Sequence, residues 1–281
     1  MSKKLIKLKK ISNKKINYSF IQGRFSREVA GRYQYFPINN WENEFKLAKG
    51  LNFDSIEWII SDLSNPIFNK TFRKIIKKII FKNKILISSI SLDYIMDNPL
   101  HKLTKKEVIW ISEELSTAMK YFNIKRISIP IEERCRFNNK SEKNLALKNL
   151  LIIYKKLKNY KVCIETDMSP QSLVEIYKMR KFEHLGILLD LGNTRAHGFK
   201  IEDYFKLFAK KIYSIHVKFR EKSYGKTKIL HKRNFHELNY FIENIDLLIN
   251  LEDISFQTFK SNSNFYLDIK KSIKNFNGYI K

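Results

Sequence analysis

The chain has 281 residues, 43 % of them hydrophobic, enough to bury a large core. No apolar run reaches the ~18 residues that a bilayer span needs, which excludes a helical membrane protein. Its 54 Lys and Arg against 28 Asp and Glu leave a net charge of +26. That excess is mostly Lys, inflated together with Ile and Asn along the whole chain. It is the signature of an AT-rich coding sequence rather than of the Arg-centred sites that read phosphates and bases. The charge argues for steering a small anion, not for specific nucleic-acid binding.

Residues 1–15 form a basic lead-in without the 7–15-residue apolar core of a signal peptide, and a short disordered or strand-like segment is expected there. The two cysteines, Cys135 in a loop and Cys163 in a buried strand, have no CxxC partner. Reduced thiols and a cytoplasmic protein are the expectation.

From there, short β-branched runs alternate with longer segments of helical period. The predicted strands are residues 16–22, 55–60, 84–91, 126–131, 161–166, 185–191, 212–218 and 247–253. Helices are predicted from Asn40 onward and over 67–80, 104–121, 140–158, 169–181, 201–210, 232–245 and 262–275, with Asn40, Thr104 and Ser169 as N-caps. Eight strand–helix units averaging about 35 residues fit a single (β/α)8 TIM barrel over residues 1–281. The strands run apolar without strict alternation, as a parallel sheet covered on both faces does. The turn after the first strand, Gln22-Gly23-Arg24-Phe25-Ser26, has one glycine and no dinucleotide fingerprint, which disfavours a doubly wound sheet.

Such barrels carry their chemistry at the C-terminal ends of the strands. By the predicted boundaries, strand five ends on Glu165, strand six on Asp190, strand seven carries His216 and strand eight ends on Glu252. Four such groups converging inside a barrel would repel one another without a cation. Three carboxylates and an imidazole suit one divalent ion: Mn2+, Mg2+, Co2+ or Zn2+. Glu57 ends strand two and Asp93 follows strand three, and Arg24, Lys218 and Arg220 are cations placed to meet a hydroxyl or phosphate. These five are the candidate substrate-binding residues. His197, in a loop after strand six, reads as a surface residue, and Trp41 and Trp58 as packing residues.

Several segments resemble the sugar phosphate isomerase/epimerase family of the xylose isomerase-like barrel superfamily. Gln22-Gly23-Arg24-Phe25-Ser26 is similar to its QGRLS opening, and Gly50-Leu51-Asn52-Phe53-Asp54-Ser55-Ile56-Glu57-Trp58 contains a stretch similar to its LGFDGIEW. Leu92-Asp93-Tyr94-Ile95-Met96 is similar to ADYFM, and the strand ends at Glu165, Asp190 and His216 match its later motifs. The resemblance implies a metal-dependent isomerase or epimerase of a sugar or sugar phosphate. One divalent ion would be held by Glu165, Asp190, His216 and Glu252, with Glu165 and Glu252 also serving as acid/base groups beside a chelated carbonyl. The family's HIKDR reads His216-Val217-Lys218-Phe219-Arg220 here, with Phe219 in the acidic place and no Pro-Leu-Gly loop after it. Two other readings stand beside this one. A phosphodiesterase acting on damaged DNA, like the trinuclear-zinc endonuclease IV, is opposed by a total of only 6 His. The other is a binding relative that kept the barrel and lost turnover.

Overall fold

A computed structural model describes residues 7–11, 15–261 and 264–280. Eight parallel strands close a barrel in which each strand neighbours the next and the last pairs with the first. They are β1 (Asn17–Ile21), β2 (Ser55–Ile59), β3 (Leu86–Ser91), β4 (Arg126–Ile131), β5 (Lys161–Thr166), β6 (Gly186–Asp190), β7 (Ile212–Val217) and β8 (Asp253–Phe256). Helices cover the outside, and their apolar stripes meet the outward residues of the strands. Trp58, for instance, is buried against Trp41 at 5.8 Å and donates its indole N–H to Asn65. Both tryptophans pack, as predicted.

The helix ends follow local chemistry. Thr104 and Glu107 form a reciprocal capping box before the helix Lys105–Phe122, and Ser169 caps Pro170–Tyr177 through the N–H of Ser172. Asn40 precedes Trp41–Gly50 but does not cap it with its side chain. Its amide donates instead to Phe25 O and Ser26 Oγ, tying the helix to the loop after β1. Part of the basic lead-in, residues 1–6 and 12–14, lies outside the described residues, as do residues 262 and 263 of the last predicted helix. In the described part, Leu8 is buried and pairs with Leu51, so this piece is packed rather than loose.

Inward-facing residues form tiers set by strand register. Glu165 pairs with Leu188, Asp190 with His216, His216 with Ser255, Ile21 with Glu57, Ile59 with Ser91, Ser91 with Ser128, and Pro130 with Glu165. Moving round the barrel, the next inward residue is alternately the register partner and the residue two beyond it, so that neighbouring strands contribute to one tier in a shallow zigzag about the average stagger that strand tilt imposes. The upper tier therefore runs Glu165, Asp190, His216, Gln257, Ile21, Ile59, Ser91, Pro130 and closes on Glu165. Its polar half lies on β5 to β7 and at the end of β8. The tier below is rich in serine (Ser19, Ser89, Ser128, Ser214, Ser255) and contains Glu57, all buried.

One predicted strand is wrong. Residues 247–253 are apolar enough to read as a strand, but Ile245–Leu247 is a tight helical turn, and Leu247 and Ile249 are 54 % and 63 % exposed. The eighth strand starts at Asp253, where the prediction had it stop.

Gly186 sets a packing limit inside the wall. A Cβ there would lie 2.6 Å from Cys163 Sγ and 2.6 Å from the Tyr213 ring. Gly186→Ala is expected to destabilise the fold by about 1–3 kcal/mol in urea denaturation. Gly50→Ala, where a Cβ meets nothing within 4 Å, should be neutral or mildly stabilising. Equal effects at the two sites would contradict the packing argument.

Candidate metal centre

Glu165, Asp190 and His216 meet at the upper end of β5, β6 and β7. Each offers one ligand atom, all within 4.8 Å of one another, and all three residues are buried. They form one group of metal-capable side chains among the described residues. The imidazole sits between two carboxylates. His216 Nδ1 is 3.1 Å from Glu165 Oε1 and 4.0 Å from Asp190 Oδ2, while Nε2 is 2.8 Å from Glu57 Oε2. Glu57 rises from the lower tier, and its other oxygen accepts from Ser128 Oγ at 3.3 Å. With Nε2 held by Glu57, Nδ1 is the nitrogen turned toward the ligand carboxylates, an arrangement that fixes ring orientation in metal sites.

Charge explains how these acids coexist. Burial alone would push the Glu57 carboxyl up and the His216 imidazole down. The pairing outweighs it, holding Glu57 down at about 2 and raising His216 well above its ordinary range. Lys218 Nζ lies 2.7 Å from Asp190 Oδ2, and despite its burial the ammonium is stabilised by Asp190 and Glu132.

The cleft above the centre has a volume of about 740 Å3. Arg24, Asp93, Lys218 and Arg220 line it, together with Glu132 and Gln257. Arg220 donates to Asn193 Oδ1 at 2.8 Å and to Gly225 O at 2.9 Å, which clamps the loop after β7. Burial pushes Asp93 up to about 6, against the hydrogen bonds from Ser91 and Gln34. Glu132 follows β4, accepts from Asn193 Nδ2 at 2.6 Å, and is raised well above the usual range by burial and by Glu165. It escaped the sequence reading, although an acid just after a predicted strand was the same signal that had marked Asp93. Gln257 was hidden by the misplaced eighth strand.

Two assignments need correction. Glu252 is not at this end of the barrel. It precedes β8 at the opposite mouth, where it pairs with Lys161 and lies 3.8 Å from Arg126. The residue of the upper tier on that side is Gln257. Glu57 is 1 % exposed and sits under His216, so it holds the imidazole instead of lining the cleft. His197 also differs from its surface reading: its side chain is 6 % exposed, stacks near Phe199 and lies 3.6 Å from Asp167. Phe219 is a buried plug, edge-on to Phe235 at 5.2 Å and beneath the Arg195 guanidinium at 5.3 Å.

Arg24 is positioned by a buried acid. Glu44 accepts from the N–H groups of Gly23 and Phe25 at 3.0 Å and from Ser26 Oγ at 2.9 Å. Gly23 has φ +90°, and a Cβ would meet Tyr35 O at 2.6 Å, so the turn requires glycine. Lys260 closes the loop from the other side by donating to Gly23 O and Ser26 O.

No protein-family model matches the sequence, and no curated protein matches it. Solved structures do match over nearly the whole chain. A xylose isomerase domain protein from Planctomyces limnophilus aligns with TM-score 0.71 and 14 % identity, covering 95 % of this chain and 98 % of that one. The D-psicose 3-epimerase of Clostridium cellulolyticum, solved with D-tagatose, gives 0.67 and 13 %, covering 94 % and 99 %. An IolI protein with a bound zinc atom gives 0.64 and 14 %, covering 94 % and 96 %. At these identities the likeness is one of fold: the chain shares the (β/α)8 barrel of these proteins.

Burial holds the Glu44 carboxyl at about 7 against an ordinary 4.5, despite the donors from Gly23 and Ser26. Its protonated form is thus favoured by folding, a contribution fully present below about pH 4.5 and lost as the pH rises through about 7. Urea denaturation across that window should show stability falling with pH, and Glu44→Gln should flatten that part of the profile. An unchanged slope in the variant would rule Glu44 out as its source.

Proposed function

We propose that this protein is a divalent-metal-dependent isomerase or epimerase of a sugar or sugar phosphate, acting by proton abstraction beside a carbonyl through an enediolate. The observation that carries the reading is the convergence of Glu165, Asp190 and His216 within 4.8 Å under a cleft lined by Arg24, Lys218 and Arg220. The fold shared with a D-psicose 3-epimerase and a zinc-carrying IolI protein supports it.

The donor set fits Mn2+, Co2+, Mg2+ or Zn2+, since it combines hard carboxylate oxygens with one imidazole nitrogen. A divalent ion held there supplies Lewis acidity, lowering the cost of the negative charge that develops on a carbonyl oxygen. The protein's own groups do the rest. Glu165 takes the proton from the carbon beside the carbonyl. Glu57 keeps the His216 ring turned to the centre. Lys218, Arg220, Arg24 and Asp93 bind hydroxyl or phosphate oxygens at the mouth. Glu132, whose carboxyl is pushed well up by burial and by Glu165, would hand its proton to a leaving or returning oxygen.

The phosphodiesterase alternative needs several metals and several histidines, whereas a single metal-capable group with one imidazole is found among the described residues. Among those residues, no helix is long and apolar enough to cross a membrane.

Metal-stripped protein titrated with Mn2+, Co2+ or Zn2+ should take up one equivalent. Glu165→Gln and His216→Ala should abolish binding or weaken it on the order of 100-fold, while Glu57→Gln should cost roughly 10–100-fold through loss of ring orientation. With metal restored, deuterium from solvent should enter a ketose or ketose phosphate, and Glu165→Gln should stop it. A wild-type protein that binds no divalent ion at micromolar concentration would sink the mechanism.

A further inference from the structure

We infer that Gln257, through its side-chain amide oxygen, is the fourth donor of the metal centre, in the position the sequence pattern had given to Glu252. The inference rests on the metal reading above and assigns it one more residue.

Three observations carry it. The first is register. Ser255 pairs with His216, and the N–H of Gln257 donates to Val217 O at 3.1 Å. Gln257 is then the residue two beyond the register partner of His216, just as Asp190 is two beyond Leu188, the partner of Glu165. The alternating stagger thus puts Glu165, Asp190, His216 and Gln257 in one tier on four neighbouring strands.

The second is the orientation of the amide. Arg24 has only donors, and its guanidinium donates to Gln34 Oε1. That oxygen is therefore an acceptor, and Gln34 Nε2 donates to Asp93 Oδ2 at 2.7 Å. The group of Gln257 that lies 2.8 Å from Gln34 Oε1 must then be its NH2. A chain of donors starting at an arginine fixes which way the Gln257 amide points.

The third is an unanswered acceptor. Gln257 is 4 % exposed, and its Oε1, turned away from Gln34, has no hydrogen-bond partner among the described residues. A buried carbonyl oxygen without a donor costs free energy, and a cation at the tier it occupies would satisfy it. Amide oxygens are ordinary ligands for hard divalent ions. With Gln257 as donor, the centre has two carboxylates, Glu165 and Asp190, instead of three.

The test is metal binding by apo-protein, read by calorimetry with Mn2+ and by the visible spectrum with Co2+. Relative to wild type, Gln257→Leu should weaken both ions on the order of tenfold or more and shift the Co2+ bands. Gln257→Glu should tighten binding by a similar factor, through the added charge, and also move the bands. Glu252→Gln, at the far end of the barrel, should change neither affinity nor spectrum. Thermal melts of the apo-proteins check folding, and if Gln257→Leu does not fold, the near-isosteric Gln257→Glu decides alone. Wild-type affinity and an unchanged Co2+ spectrum in the Gln257 variants, with His216→Ala defective, would overturn the inference and leave the metal reading standing. No binding by wild type would overturn both.

Discussion

The centre of this barrel depends on one imidazole placed between two buried carboxylates. Glu57 below and Glu165 beside it are both within 3.1 Å of His216, and none of the three residues is more than 3 % exposed. Two carboxylates at that depth cannot both stay ionised without a nearby positive charge. In the protein alone the two carboxylates raise the proton affinity of His216, which lets the imidazole carry that charge. A divalent ion at the centre would supply the same compensation, with Nε2 held by Glu57. The same geometry therefore serves the fold and the candidate chemistry. Truncating any member leaves an unpaired buried charge, the costly way to break such a cluster.

Around that axis the cleft is built by two further constraints. The loop after β1 is held from below by Glu44 and from the side by Lys260, both bonded to its backbone, which places the Arg24 guanidinium over Tyr33 at 4.6 Å. Arg24 then orients Gln34, and Gln34 links Asp93 to Gln257. A turn that contributes no ligand thus decides the orientation of a side chain at the end of β8. On the opposite side, Arg220 bonded to Asn193 and Gly225, and Phe219 packed on Phe235, replace the polar loop that the sequence resemblance would have led one to expect after β7. That departure has a structural account: the aromatic ring fills the gap between the loop and the helix His236–Glu243.

The cationic groups of the mouth and those of the floor have different roles. Arg24, Lys218 and Arg220 face the cleft above the candidate metal centre. Arg126 is buried in the barrel beside Asp253, and Lys161 pairs with Glu252 at the lower mouth. The net charge of the chain therefore says little about the site by itself. What matters chemically is which cations the strand ends bring together over the three candidate ligands.

The amino-acid sequence by itself determined the barrel, seven of the eight strands to within about two residues, and three of the four side chains proposed to surround the metal, because those strands are short apolar runs bounded by helical periodicity and three of them, β5 to β7, end their inward face on a polar residue. Burial and charge compatibility are local properties of such runs, and they can be read without neighbours. The eighth strand failed because Leu247 to Leu251 are as apolar as a strand, yet fold as a turn whose side chains are partly exposed; the strand itself opens on Asp253, whose carboxylate is buried only because Arg126, Asn17 and Ser19 meet it across the barrel. Tertiary structure alone decided that Glu252 lies at the floor, that Glu57 supports His216, and that Gln257 completes the tier. Each depends on the stagger between strands. That stagger is a property of the closed sheet and cannot be read from any single segment.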